Sequence, residues 1–120
     1  MLDLNGATLA YIGDAIYELE IRNHFILAGY KKVDNLHKEV VKYTSANGQL
    51  IAINKIYDDL TDNEVLFFKK GRNHSSLRRA RNTDLATYQK ATGLESLFGY
   101  LYLENKQERI SELIKKITRD

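Results

Sequence analysis

The sequence predicts an all-α protein, a compact helical bundle, and three observations carry that prediction. The 120 residues include no Pro, and the seven Gly are scattered, so little in the chain breaks helices. Leu, Ile, Glu, Lys and Tyr are frequent, a composition that leans helical. Apolar residues recur at three and four positions along most segments, whereas strand-like alternation is weak everywhere. With no internal repeat and no linker rich in Gly, Ser or Pro, residues 1–120 read as one domain, long enough for a true core.

The first helix is expected from about Gly6 or Ala7 to Ala28, with Leu9, Ile12, Ile16 and Leu19 on one face and Gly29 as the stop. Ala10, Tyr11, Tyr17 and Ile21 keep much of the other side apolar as well, which predicts a helix central in the fold or in an assembly. A second helix, capped by Asp34 or Asn35, reaches about Tyr43. A third lies within 44–60, with Ser45 as cap and Leu50, Ile53 and Ile56 inward. Thr61-Asp-Asn-Glu64 is a capping box that opens a fourth over "VLFFKKGR". "NHSSLRRARNT" reads as a loop. Residues 84–106 form one long helix or two, with Leu94, Leu97, Phe98 and Leu101 on one side, and Ile110, Leu113, Ile114 and Ile117 mark the last.

Hydrophobic residues make up 43% and charged residues 28% of the chain, the balance of a soluble domain. Cys is absent, which excludes disulfides, thiol chemistry and cysteine-based zinc sites. The N-terminus lacks the pattern of a signal peptide and no window reads as a membrane span, so a cytoplasmic protein is expected. A net charge of +2 conceals a strong asymmetry, because Lys69 to Thr83 holds Lys and Arg and no acid. Lys70, Arg72, Arg78, Arg79 and Arg81, interleaved with Asn, Ser and His, are candidate phosphate contacts. A solvated surface loop would look the same. The spacing of a nucleotide-binding P-loop is missing. His24 and His37 are expected in or beside helix packing and His74 on the loop, and no catalytic triad can be read from spacing. Tyr100 and Tyr102 read as core or interface residues.

Two acids stand out. Asp14 interrupts the apolar run "LAYIGDAIYELEIR" with no basic residue within one turn, and Glu95 does the same in "ATGLESLFGYLYL". Converging from separate helices, two such carboxylates would make a hard-oxygen site suited to Mg²⁺, whose charge acts on a phosphate. The competing reading is a solvated stripe of Asp14, Glu18 and Arg22, in which Glu18 and Arg22 pair across one turn. Periodicity alone leaves both open.

"YIGDAIYE" resembles the signature helix of the ribonuclease III family, and "GLESLFGYLYLE" resembles its second acidic helix. Together with "LH" at 36–37, "KKGRN" at 69–73 and "NTDLATYQKAT" at 82–92, the pattern is similar to the Mini-III branch, catalytic domains without a double-stranded-RNA-binding domain. The resemblance covers essentially the whole chain. It implies a ribonuclease III-type endonuclease fold and a homodimer that cuts double-stranded RNA with Mg²⁺. Asp14 and Glu95 would be the catalytic and metal-binding residues. The branch's usual role is maturation of the large-subunit (23S) ribosomal RNA precursor, and the resemblance leaves room for a ribosomal protein as accessory factor. Two acids of the wider family are replaced, by Ala10 four residues before Asp14 and by Thr92 three before Glu95, which implies a sparse metal shell. A non-catalytic RNA-binding or ribosome-assembly module is the alternative reading, and a protein-binding helical dimer a third.

Overall fold

A computed structural model describes residues 3–74 and 84–119. Among these the chain forms α1 (Gly6–Leu27), α2 (Val33–Thr44), α3 (Ala46–Ile56), a 3₁₀ turn (Tyr57–Asp59), α4 (Asp62–His74), α5 (Leu85–Leu103) and α6 (Gln107–Thr118). No strand occurs among the described residues. The all-α expectation holds.

Local chemistry sets most of the boundaries. Asn5 caps α1 by accepting from the Thr8 N–H, and Gly29 ends it with φ +105°, a conformation that side-chain-bearing residues rarely adopt. Ser45 caps α3, accepting from the Gly48 N–H at 3.1 Å. The Thr61–Glu64 box closes in both directions, at 2.9 Å and 3.2 Å. Asp84 caps α5 through Thr87, and α5 is one helix rather than two. Two expectations need correction. α2 begins at Val33 with no side-chain cap, and Asp34 instead lies in the first turn, where its charge suits the helix dipole. α4 continues through Asn73 and His74, so the helix takes in the start of the expected loop.

The core is built around α5. Its residues 96–101 are buried in succession, and Leu94, Leu97, Phe98 and Leu101 are completely enclosed. A helix apolar all round must be covered on every side, and here α1, α3, α4 and α6 supply the cover. α6 adds Ile110, Leu113, Ile114 and Ile117, as expected. α1 packs one face against α5, α2 and α4 and leaves the other open. It buries Leu9, Gly13, Ile16, Tyr17, Ile21 and Phe25, while Leu19 is 58% exposed. The inward face is rotated because α1 meets α5 closest at Gly13, which draws Tyr17 in and leaves Leu19 out. Tyr100 stacks on Phe67 with ring centres 3.9 Å apart; Tyr102 is exposed. His24 packs edge-on against Phe25, but His37 is solvent-exposed on α2, contrary to expectation.

Candidate active site

α1 and α5 cross backbone against backbone. A Cβ at Gly13 would lie 1.6 Å from the Glu95 carbonyl oxygen, and one at Gly99 would lie 2.0 Å from the Leu9 carbonyl oxygen. Neither position has room for a side chain. α5 is clamped on its other flank by α4, where a Cβ at Gly71 would lie 2.4 Å from Ser96 Cβ and the buried Ser96 hydroxyl donates to the Phe67 carbonyl at 2.8 Å. The register of α5 against α1 is thereby fixed from both sides.

That crossing brings Asp14, the residue after Gly13, beside Glu95. Asp14 is exposed and Glu95 half-buried. Burial, first, and then the Asp14 charge push the Glu95 carboxyl up to about 8. Among the described residues neither acid forms an ion pair with Lys, Arg or His. Glu18 turns to Arg22 instead, the expected surface pair. The solvated-stripe reading therefore accounts for Glu18 and Arg22 but not for the contact of Asp14 with Glu95.

Two carboxylates held together without a counter-charge fit a hard divalent cation, because a cation removes the repulsion that neither helix relieves. The donor set is short. No group of three or more His, Cys, Asp or Glu suited to a metal occurs among the described residues. Mg²⁺ tolerates such a set, since it keeps several of its own waters. Ala10 is buried, and the Thr92 hydroxyl is spent on the Tyr88 carbonyl of its own helix at 2.9 Å, so neither adds a ligand.

The structure adds two neighbours that the sequence reading missed. Gln49, on α3 and 3% exposed, donates from Nε2 to Glu95 Oε2 at 3.2 Å. Tyr17, fully buried, donates its hydroxyl to the Tyr43 carbonyl at 2.9 Å. Burial, first, and the charges of Tyr43 and Glu95 raise that hydroxyl's pKa, so it stays neutral. Gln49 had a sequence signal: with Ile53 and Ile56 it recurs at four and three, a polar residue on an apolar stripe.

The basic candidates are placed unequally. The Lys70 ammonium donates to the Leu4 carbonyl at 3.1 Å and lies over the Phe67 ring, holding the start of α1 against α4. Arg72 is half-buried, over the Phe68 ring. Arg78, Arg79 and Arg81 lie outside the described residues.

The chain matches the ribonuclease III domain family over residues 7–106. It is 44% identical to the Mini-ribonuclease 3 of Enterococcus faecalis over 92% of this chain and 86% of that protein. It is 39% identical to the Mini-ribonuclease 3 of Staphylococcus aureus over 95% and 87% of the two chains. Among solved structures it is similar to the crystal structure of protein FN1578 from Fusobacterium nucleatum, with a TM-score of 0.86 and 33% identity over 98% of this chain and 95% of that one.

Proposed function

The chain belongs to the ribonuclease III family and is an endoribonuclease of that type, and from that premise we propose that it cleaves double-stranded RNA with Mg²⁺ held by Asp14 and Glu95. The carboxylate couple at the α1–α5 crossing, with no basic partner among the described residues, carries this reading. When bound, the ion supplies Lewis-acid charge at the scissile phosphate and lowers the pKa of a bound water. The protein's own contribution is position: Gly13 and Gly99 keep two helices in contact, so the carboxylates on them cannot drift apart.

A-form RNA hides its bases in a deep, narrow groove, so a small domain must recognise phosphates, 2′-hydroxyls and shape. Arg72, Arg78, Arg79 and Arg81 are the proposed phosphate contacts. Arg72 stands in the last turn of α4 and the other three follow it in the sequence before the Asp84 cap, which lies roughly 15 Å along α5 from Glu95. Lys70 takes part indirectly, by anchoring α4 to the start of α1.

A homodimer is part of the same reading. Tyr11 and Leu19, 85% and 58% exposed, stand with Asp14 and Ala15 on the outward face of α1, beside the partly buried Ile12. An apolar strip of this kind supports burial against a second copy. The natural duplex proposed is a stem of the 23S ribosomal RNA precursor, cut in the cytoplasm with room for a ribosomal protein as accessory factor, as the resemblance to the Mini-III branch implies. No helix among the described residues is long and apolar enough to cross a membrane.

The test is cleavage of a perfect RNA duplex with and without Mg²⁺. Asp14→Asn and Glu95→Gln are expected to fold and to lose cleavage; robust cutting by either variant would refute the assignment of both residues.

A further inference from the structure

We propose that Gln49 is a positioning residue of the active site, its side-chain amide holding one oxygen of Glu95 so that the carboxylate is presented to a divalent cation in a single orientation. The inference rests on the reading of Asp14 and Glu95 given above.

A buried amide costs about 1–3 kcal/mol when it is left unbonded, so an apolar residue would suit the inner face of α3 better if packing were all that mattered. Gln49 is 3% exposed, and its amide reaches from α3 to Glu95 on α5, at 3.2 Å. The local fold drives it there. Ser45 caps α3. A Cβ on Gly48 would lie 2.2 Å from the Lys42 carbonyl oxygen, so α3 starts pressed against the end of α2. Gln49 follows directly, on the stripe that continues with the buried Ile53 and Ile56.

The chemistry of the amide also suits the task. Lys or Arg at this place would neutralise Glu95 and compete with the cation. A third acid would add to the repulsion already present between Asp14 and Glu95. An amide N–H does neither: it fixes Oε2 by a directed bond and leaves the carboxylate its charge. No other side-chain N–H is bonded to Glu95 among the described residues. Residues that hold a metal-ligating carboxylate in this way matter nearly as much as the ligand.

Gln49→Met keeps the length of the side chain and removes the donor. Two readouts separate positioning from packing: the Mn²⁺ concentration that half-saturates the thermal shift of the protein without RNA, and the split between kcat and KM on duplex RNA. The half-saturating Mn²⁺ concentration is expected to rise by ~10- to 100-fold. With it, kcat at fixed Mg²⁺ should fall by at least ~10-fold while KM for RNA stays within about twofold. A folded Gln49→Met protein that matches the wild type in Mn²⁺ dependence overturns the proposal. Gln49→Leu is measured in parallel. If neither variant folds, Gln49 is a packing residue and the proposal is equally overturned. Glu95→Gln is the control for the underlying reading: if that variant retains Mn²⁺ binding and cleavage, the active-site assignment fails, whatever Gln49 does.

Discussion

Gly13 lies so close beneath Glu95 that a Cβ at residue 13 would stand 1.6 Å from the Glu95 carbonyl oxygen. The Gly-Asp pair in α1 thus divides its labour. Gly13 lets two helices touch through their backbones, and Asp14 uses the contact to place its carboxylate beside a second one.

Replacing Gly13 by Ala should force α1 and α5 apart. The neighbour is backbone of a helix clamped from its other side, so it has no cheap way to yield. We expect a loss of about 3 kcal/mol or more in urea-induced unfolding, with loss of cleavage as the carboxylates separate. Gly29→Ala is the comparison. Its Cβ would meet nothing within 4 Å, but φ is +105°, and the strain alone should cost about 1–2 kcal/mol. Equal effects of the two changes would contradict the close crossing.

Glu95 makes the metal-free protein sensitive to alkali. Its carboxyl is pushed up to about 8, by burial and then by Asp14, so the folded protein holds that proton more tightly than the unfolded chain does. A raised acid stabilises below its unfolded value and loses that contribution as pH rises through the folded one. Without divalent cations, the melting temperature should therefore fall between about pH 5 and pH 8. Glu95→Gln should remove most of this slope and be more stable than wild type at pH 8, by on the order of 2 kcal/mol. Added Mg²⁺ should stabilise wild type at that pH and leave Glu95→Gln unmoved. A flat wild-type profile would contradict the repulsion.

Much of this site is legible along the chain because its two acids interrupt strongly apolar helices. Asp14 and Glu95 have no basic residue within a turn, and that local oddity survives into the fold. The capping signals of Ser45 and of the Thr61–Glu64 box are equally local, and both are formed. What escapes is set by tertiary contact. Which side of α1 turns inward depends on the close approach at Gly13, so Tyr17 is buried and Leu19 exposed although periodicity favours Leu19. Gln49 meets Glu95 across two helices that are remote in sequence, and only its place on an apolar stripe hinted that it had a partner.

Among the described residues, one ion pair is buried enough for its loss to be costly. Glu64 is 4% exposed, and Arg109 reaches it from α6 at 2.8 Å. Burial alone would raise the Glu64 pKa, but the hydrogen bonds from Arg109 and Thr61 prevail and hold it below the usual carboxylate value. A depressed acid stabilises above its unfolded value and loses that contribution as pH falls through the folded one, so this pair should weaken only in acid. Arg109→Met leaves the carboxylate buried without its partner, and about 3 kcal/mol should be lost at pH 7. The double variant with Glu64→Gln should recover part of that loss. A single variant as stable as wild type would show that the pair contributes nothing.

The two ends of the basic run should respond differently to mutation. Arg78, Arg79 and Arg81 belong to a run, 69–83, that holds no acid, whereas the Lys70 ammonium is already committed to the Leu4 carbonyl and the Phe67 ring. Removing one cation that neutralises a phosphate reduces the slope of log affinity against log salt by about one. Changing the three arginines together to Ser should therefore weaken duplex-RNA binding and flatten that slope by about 2–3, with little effect on melting. Lys70→Met should do the reverse, lowering stability by about 1 kcal/mol because its bond to the start of α1 is gone, while the salt slope stays near that of wild type. Binding measured at two salt concentrations, beside a melting curve, separates the two. An unchanged slope in the triple variant would remove the segment from the RNA interface, and a large change of slope in Lys70→Met would show that its ammonium leaves Leu4 for a phosphate.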